Sequence, residues 1–181
     1  KQIHEWLWKK RATSFDQMTN LSLSLRKTIE DNFIINAIQL TEAQKSNDKT
    51  IKNAFLLSDN SVVEGVLIPT KKRMTACVSV QVGCSLDCAF CATGKLKRVR
   101  NLNPDEIYDQ VVMISQQSKN EYDIPLSNIV FMGMGEPLLN YKNVISSIDK
   151  ITSKDGLGMS PKRITVSTAG IANRIIRLAD D

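Results

Sequence analysis

Polar and apolar positions change period along this chain, and each change marks a new kind of structure. In residues 1–35, Ile3, Trp6 and Leu7, and later Leu21, Leu25, Thr28 and Ile29, recur at helical spacing. Ser14-Phe15-Asp16-Gln17 has the form of a capping box, with Ser at N-cap and Gln at N3. These residues predict a small helical N-terminal domain. Over residues 36–73 the period shortens. Segments 36–41, 51–58 and 61–69 read as short strands, with turn signals at Ser46-Asn47-Asp48 and Asp59-Asn60. They predict an antiparallel β-meander.

From Met74 onward, strand and helix alternate three times. Residues 78–82 read as the first strand. Asn103-Pro104-Asp105-Glu106 then opens a helix whose core face is Ile107, Val111, Val112 and Ile114. The continuous apolar run 129–132 predicts a strand covered on both faces. Val144, Ile145, Ile148 and Ile151 mark a second helix that stops near Gly156 and Gly158. Residues 164–167 form the third strand, and Ile171, Ile175, Ile176 and Leu178 the third helix. Three βα units imply an α/β fold with a parallel sheet over 74–181, too few to close a barrel.

Composition narrows the setting. No stretch of the chain is long and apolar enough for a transmembrane helix, and charges interrupt any signal-peptide core. The chain begins with Lys rather than Met, so it is expected to lack its natural N-terminus. The net charge of +5 is concentrated in Lys9-Lys10-Arg11, Lys71-Lys72-Arg73, and Lys95, Lys97, Arg98 and Arg100. Such groups suit either a solvated surface or a nucleic-acid footprint, and composition does not choose. All four cysteines lie between Cys77 and Cys91. That crowding, without a secretory signal, predicts a reducing, cytoplasmic setting and a metal site.

Cys84, Cys88 and Cys91 have the spacing C-x₃-C-x₂-C in a loop after the first predicted strand. Three thiolates can hold three irons of a [4Fe–4S] cluster and leave the fourth open to chelate S-adenosylmethionine. Phe90 is placed to shield the cluster from water. A structural zinc site is the plainer alternative, but it needs a fourth ligand from Cys77 or His4. Gly133-Met134-Gly135-Glu136-Pro137 follows the second predicted strand, at the same end of the sheet. It reads either as a ligand-binding turn, with Glu136 accepting from an ammonium group, or as an ordinary strand-to-helix turn. Ser167 ends the third strand, as a cofactor contact or a helix N-cap. Glu64 shares a strand face with Val62, Val66 and Ile68, where a buried carboxylate would be costly. It reads as a general base or ligand anchor, or as part of a partly exposed edge strand. Cys77 lies outside the cluster spacing and reads as a buried apolar residue or a reactive thiol.

Together these residues resemble the RlmN/Cfr family of radical S-adenosylmethionine RNA methyltransferases. The likeness is carried by Ile3-His4-Glu5-Trp6-Leu7-Trp8 and by the runs 77–91, 131–137 and 165–168. It implies a partial radical-SAM barrel behind an RNA-contacting helical domain. It also implies a [4Fe–4S] cluster on Cys84, Cys88 and Cys91, and S-adenosylmethionine contacts at Gly135, Glu136 and Ser167. Glu64 matches the family's proton acceptor. Cys77 matches the thiol that resolves a protein–RNA adduct and ends in a disulfide with a methyl-carrying cysteine, a role that needs an accessible thiol. No cysteine follows Cys91, so the chain is expected to be a fragment that cannot complete methyl transfer alone.

The implied reaction methylates carbon 2 of adenosine in 23S rRNA and tRNA. Carbon 8 of adenosine, with antibiotic resistance, is the alternative within the family, and a non-catalytic zinc-bound RNA-binding module is the alternative outside it. The implied partners are those RNAs and an external flavodoxin-like electron donor, with no membrane and a monomeric full-length protein.

Overall fold

The computed structural model describes residues 1–10, 12–35 and 37–180. Arg11, in the first basic group, Asn36, at the start of a predicted strand, and Asp181, after the last helix, lie outside the described residues.

The N-terminal region is helical, but its start signal differs from the predicted one. Helix α1 (Gln2–His4) runs into a wider turn over Glu5–Lys9, where Lys10 N–H donates to the Glu5 carbonyl at 2.9 Å. A single 3₁₀ turn, Phe15–Gln17, precedes helix α2 (Leu23–Glu30). Ser14 caps nothing with its side chain. Gln17 instead accepts from Thr13 N–H at 3.0 Å, and Ser22 caps α2 by accepting from Leu25 N–H at 3.3 Å. Phe15 and Met18 explain the short turn, because both are buried with Ala12, Leu21 and Ile29 in a small separate core. Leu25, predicted on the buried face, is exposed. Trp8 joins this unit to the rest of the protein. Its carbonyl accepts from the Tyr108 hydroxyl at 2.5 Å, and the two rings meet edge to face with centroids 5.0 Å apart.

Strands β1 (Gln39–Lys45), β2 (Ile51–Leu56) and β3 (Val62–Pro69) pair antiparallel in chain order, as the meander predicts. β1 lies later than the predicted 36–41. All seven of its residues are exposed, so no alternation marks its position in the sequence.

Strand β4 (Met74–Cys77) pairs antiparallel with β3. Beyond it the chain leaves this sheet, and β5 (Gln81–Val82) pairs with β6 (Arg100–Asn101) in a separate ribbon. The single strand predicted over 78–82 is therefore a connector over 78–80 followed by one side of a ribbon at Gln81–Val82. The cause is a partner distant in sequence: Val80 and Gln81 N–H both donate to the Met134 carbonyl, at 2.9 and 3.1 Å, which draws the backbone off the ladder. Strand β7 (Asn128–Phe131) then pairs parallel with β4, and β8 (Ile164–Val166) pairs parallel with β7. The main sheet has the order β1-β2-β3-β4-β7-β8, with the parallel part on one side.

Helix α3 (Pro104–Tyr122) begins where Asn103-Pro104-Asp105-Glu106 predicts, with a capping box between Asn103 and Glu106. It and α4 (Tyr141–Thr152) cover one face of the sheet. Phe55, Leu67, Ile129 and Phe131 from the strands pack there with Ile107, Ile114, Val144 and Ile151 from the helices. Helix α5 (Ala172–Leu178) follows β8 and buries no residue fully. The other sheet face is open. Val130 is only half-buried and Met132 is exposed, so this apolar run is covered on one face rather than both.

One ion network fastens the meander to the βα series. Arg100 donates from Nη1 and Nη2 to the two carboxylate oxygens of Glu106, both at 2.8 Å, and from Nε to Asp59 at 2.6 Å. The Arg100 guanidinium holds the Asp59 carboxyl well below the usual carboxylate range. Glu106 first, and Asp59 second, push Arg100 above its ordinary value. Arg100 is thus a structural cation and is withdrawn from the basic surface on which the sequence places it. Among the described residues, no helix is long and apolar enough to cross a membrane.

Candidate iron–sulfur and S-adenosylmethionine site

The strand register places the candidate residues on the open face and at the C-terminal rim of the parallel strands. Val66 lies opposite Cys77, Cys77 opposite Val130, and Val130 opposite Thr165. Opposed residues share a face, so these four form one row. Two residues away along their strands, Glu64 and Ser167 fall on that same face.

Glu64 is solvated rather than buried. Its carboxylate pairs with Lys52 Nζ at 3.1 Å, and its neighbours Val62 and Ile68 are themselves exposed. The apolar environment expected from the strand pattern is absent, and β3 is an inner strand rather than an edge. Cys77 is only 9% exposed. Burial pushes its thiol above the ordinary value, partly offset by the Met132 backbone N–H. The accessible, reactive thiol implied by the family resemblance is therefore not what the fold presents.

This difference is measurable. A thiol must ionise to attack iodoacetamide, and a raised pKa keeps Cys77 protonated. In metal-free native protein, Cys84, Cys88 and Cys91 should be alkylated first at neutral pH and Cys77 last. The Cys77 rate should climb as pH rises past the ordinary thiol value. Peptide mass spectrometry reads the order, and equal labelling of all four would contradict it.

The three clustered cysteines occupy the loop between β5 and β6. The loop is closed at its base, where Val99 N–H donates to the Val82 carbonyl at 2.8 Å and Cys84 N–H to the Leu96 carbonyl at 3.3 Å. Gly83 makes this closure possible. Its φ is +72°, and a Cβ there would sit 2.2 Å from the Lys97 carbonyl oxygen. Within the loop, Cys91 N–H donates to the Cys88 carbonyl at 2.9 Å, and Leu86 N–H donates to Cys84 Sγ at 3.4 Å. All four cysteines are free, and the three of the loop are half-buried. Among the described residues, no three His, Cys, Asp or Glu side chains converge tightly enough to hold a metal ion. The loop thus supplies three thiols in order without drawing them together.

Phe90 is 94% exposed and shields nothing here. His4 meets Lys150 Nζ at 3.2 Å and faces the Trp8 ring, while Cys77 is buried in the sheet. Neither suggested fourth zinc ligand belongs to the loop. A donor set of three thiols suits an iron–sulfur cluster better than a closed four-ligand zinc site.

The Gly133–Pro137 turn packs against the base of this loop. Glu136 is buried, and its carboxylate already accepts three hydrogen bonds. They come from Leu138 N–H at 2.9 Å, the Thr168 hydroxyl at 2.7 Å and Ala169 N–H at 2.8 Å. The side chain is thus a tether to the loop after β8, rather than the open acceptor for an ammonium group that the sequence suggests. Ser167 is half-buried, and its N–H reaches the Phe131 carbonyl at 3.4 Å. It does not cap α5, whose N-cap is Ile171. Ser79, Gln81, Gln110 and Asn140 escaped the sequence reading although all are buried at this junction. The signal for Ser79 and Gln81 is that they are the pair of polar residues inside Val78-Ser79-Val80-Gln81-Val82, which looks like an exposed face and is not one.

A three-cysteine loop, a glycine-rich turn beside it and a βα series with parallel strands together define a radical S-adenosylmethionine domain. The family profile described as "Radical SAM superfamily" matches residues 78–181, and the chain belongs to that superfamily. Residues 1–35 match the profile described as "Ribosomal RNA large subunit methyltransferase N-terminal domain". The chain is 65% identical over 180 residues to the "Probable dual-specificity RNA methyltransferase RlmN" of Christiangramia forsetii, covering 99% of this chain and 51% of that protein. It is 61% identical to the protein of the same name from Flavobacterium johnsoniae, covering 99% of this chain and 52% of that protein. Among solved structures, a radical SAM methyltransferase from Sphaerobacter thermophilus superposes with a TM-score of 0.89 at 36% identity. That match covers 99% of this chain and 53% of the other. The chain spans about half the length of the curated relatives it matches.

Proposed function

We propose that this chain is part of a radical S-adenosylmethionine RNA methyltransferase that methylates carbon 2 of adenosine in 23S rRNA and tRNA. The observation that carries the reading is the junction at the C-terminal rim, where the Cys84–Cys88–Cys91 loop meets the Gly135–Glu136 turn. Its support is the likeness to proteins named dual-specificity RNA methyltransferases along the whole chain.

In this reading Cys84, Cys88 and Cys91 hold a [4Fe–4S] cluster, which when bound supplies one-electron cleavage of S-adenosylmethionine. Gly135 and Glu136 receive the cofactor through backbone carbonyls, because the Glu136 carboxylate and N–H are already engaged. Ser167 contacts the cofactor from the end of β8. Glu64 accepts a proton from the adenine, and its exposure on the open face suits contact with a base from RNA. Cys77 resolves the protein–RNA adduct, and substrate must first uncover it. The methyl-carrying cysteine belongs to sequence outside this chain. Residues 1–35 contact RNA, together with Lys95, Lys97 and Arg98 beside the site. A flavodoxin-like donor supplies electrons to a monomeric, cytoplasmic protein.

Mass spectrometry of 23S rRNA and tRNA tests this. A strain relying on the full-length protein that carries this segment should contain 2-methyladenosine in both. An 8-methyl product in rRNA without 2-methyladenosine would contradict it.

A further inference from the structure

Gln81 has 0% exposure, yet it lies in a stretch whose alternation suggests a solvent-facing side chain. A buried carboxamide is costly unless its groups are bonded. Here both ends are used. Gln81 Oε1 accepts from Glu136 N–H at 2.9 Å, which fixes the orientation of the amide, and Nε2 donates to Asn101 Oδ1 at 2.7 Å. Asn101 Oδ1 also accepts from Arg98 Nη2 at 3.3 Å. Gln81 and Asn101 stand opposite each other in the β5–β6 ribbon, so both stems of the cysteine loop brace one amide.

The fit to the turn is close as well as polar. Gly135 has φ +94°, and a Cβ there would lie 2.5 Å from Gln81 Cβ. The bonded series then continues past Glu136. Its carboxylate holds the Thr168 hydroxyl and Ala169 N–H, immediately after Ser167. One buried side chain therefore sits where the cysteine loop, the glycine turn and the end of β8 are tied together.

We infer that Gln81 is a positioning residue that holds the Gly135–Glu136 backbone, and through Glu136 the 167–169 segment, in the shape that receives S-adenosylmethionine. This rests on the proposed cofactor site. The Gln81 side chain is bonded to Glu136 N–H and Asn101 Oδ1, not to the cluster cysteines. It acts through the turn.

The test uses Gln81→Met, which keeps the bulk and loses both bonds, and Asn101→Ala, which leaves Gln81 in place and removes its brace. Both are made in the full-length protein with the cluster reconstituted anaerobically. Three readings are taken: iron and sulfide per chain, S-adenosylmethionine affinity by equilibrium dialysis, and amide exchange over 133–137. Gln81→Met should keep native iron and sulfide, bind S-adenosylmethionine about tenfold more weakly, and exchange faster at Met134 to Glu136. Asn101→Ala should fall between Gln81→Met and native in affinity.

Affinity within twofold of native in both variants would overturn the inference. If Gln81→Met loses iron, Asn101→Ala decides alone, with weaker binding supporting the inference and native affinity overturning it. Failure of the underlying site looks different, because the native protein itself would then hold no iron or bind no S-adenosylmethionine.

Discussion

Alanine at Cys84, Cys88 or Cys91 should each abolish iron binding, while alanine at Cys77 leaves it intact. A cluster held by three thiolates has no spare ligand, so the loss of one is expected to reduce iron from about four per chain to near zero. Cys77 differs because it is a buried sheet residue, opposite Val66 on one side and Val130 on the other, with no place in the loop. Iron and sulfide analysis after anaerobic reconstitution, with the visible absorption band, reads both effects. A single loop variant that retains its iron, or a Cys77 variant that loses it, would contradict the assignment. Backbone bonds close the loop independently of the thiols, so the metal-free variants should keep the protein's secondary structure. Far-ultraviolet circular dichroism separates loss of the cluster from loss of the fold.

The largest stability effect is expected at Arg100. Glu106 has only 5% of its side chain exposed, and it serves Arg100 as well as the cap of α3. Arg100→Met leaves that carboxylate buried without its cation, a change that costs about 3–5 kcal/mol where such pairs have been broken. Urea unfolding midpoints measure it, and a loss below about 1 kcal/mol would show that water reaches Glu106 in the variant. The contribution of Asp59 is smaller, because its side chain is 41% exposed and solvent screens the pair. The double variant Arg100→Met with Glu106→Leu should recover part of the loss. It removes the stranded charge while giving up one side of the capping box.

Local chemistry made some parts of this fold legible. Asn103-Pro104-Asp105-Glu106 announces α3 because each residue satisfies or removes an orphan group at the helix start, and the capping box forms. The spacing of Cys84, Cys88 and Cys91 announces its loop for a comparable reason, since short intervals keep the three thiols within one connection between β5 and β6. Long-range partners hid the rest. Val80 and Gln81 leave the sheet because Met134, more than fifty residues on, offers a carbonyl. Ser79 looks solvent-facing and is buried because it donates to the Glu64 carbonyl at 2.5 Å and accepts from Met134 N–H at 2.8 Å. The Glu136 side chain turned out to be committed to Thr168 and Ala169, partners that no spacing rule connects to it. β1 escaped for the opposite reason, since an entirely exposed strand has no burial pattern to read.

Electron paramagnetic resonance of the reduced, anaerobically reconstituted protein tests the central claim most directly. The account predicts a [4Fe–4S] signal that changes on adding S-adenosylmethionine, because three cysteines leave one iron open to it. A signal unaltered by S-adenosylmethionine, or a colourless protein that takes up zinc in place of iron, would contradict it.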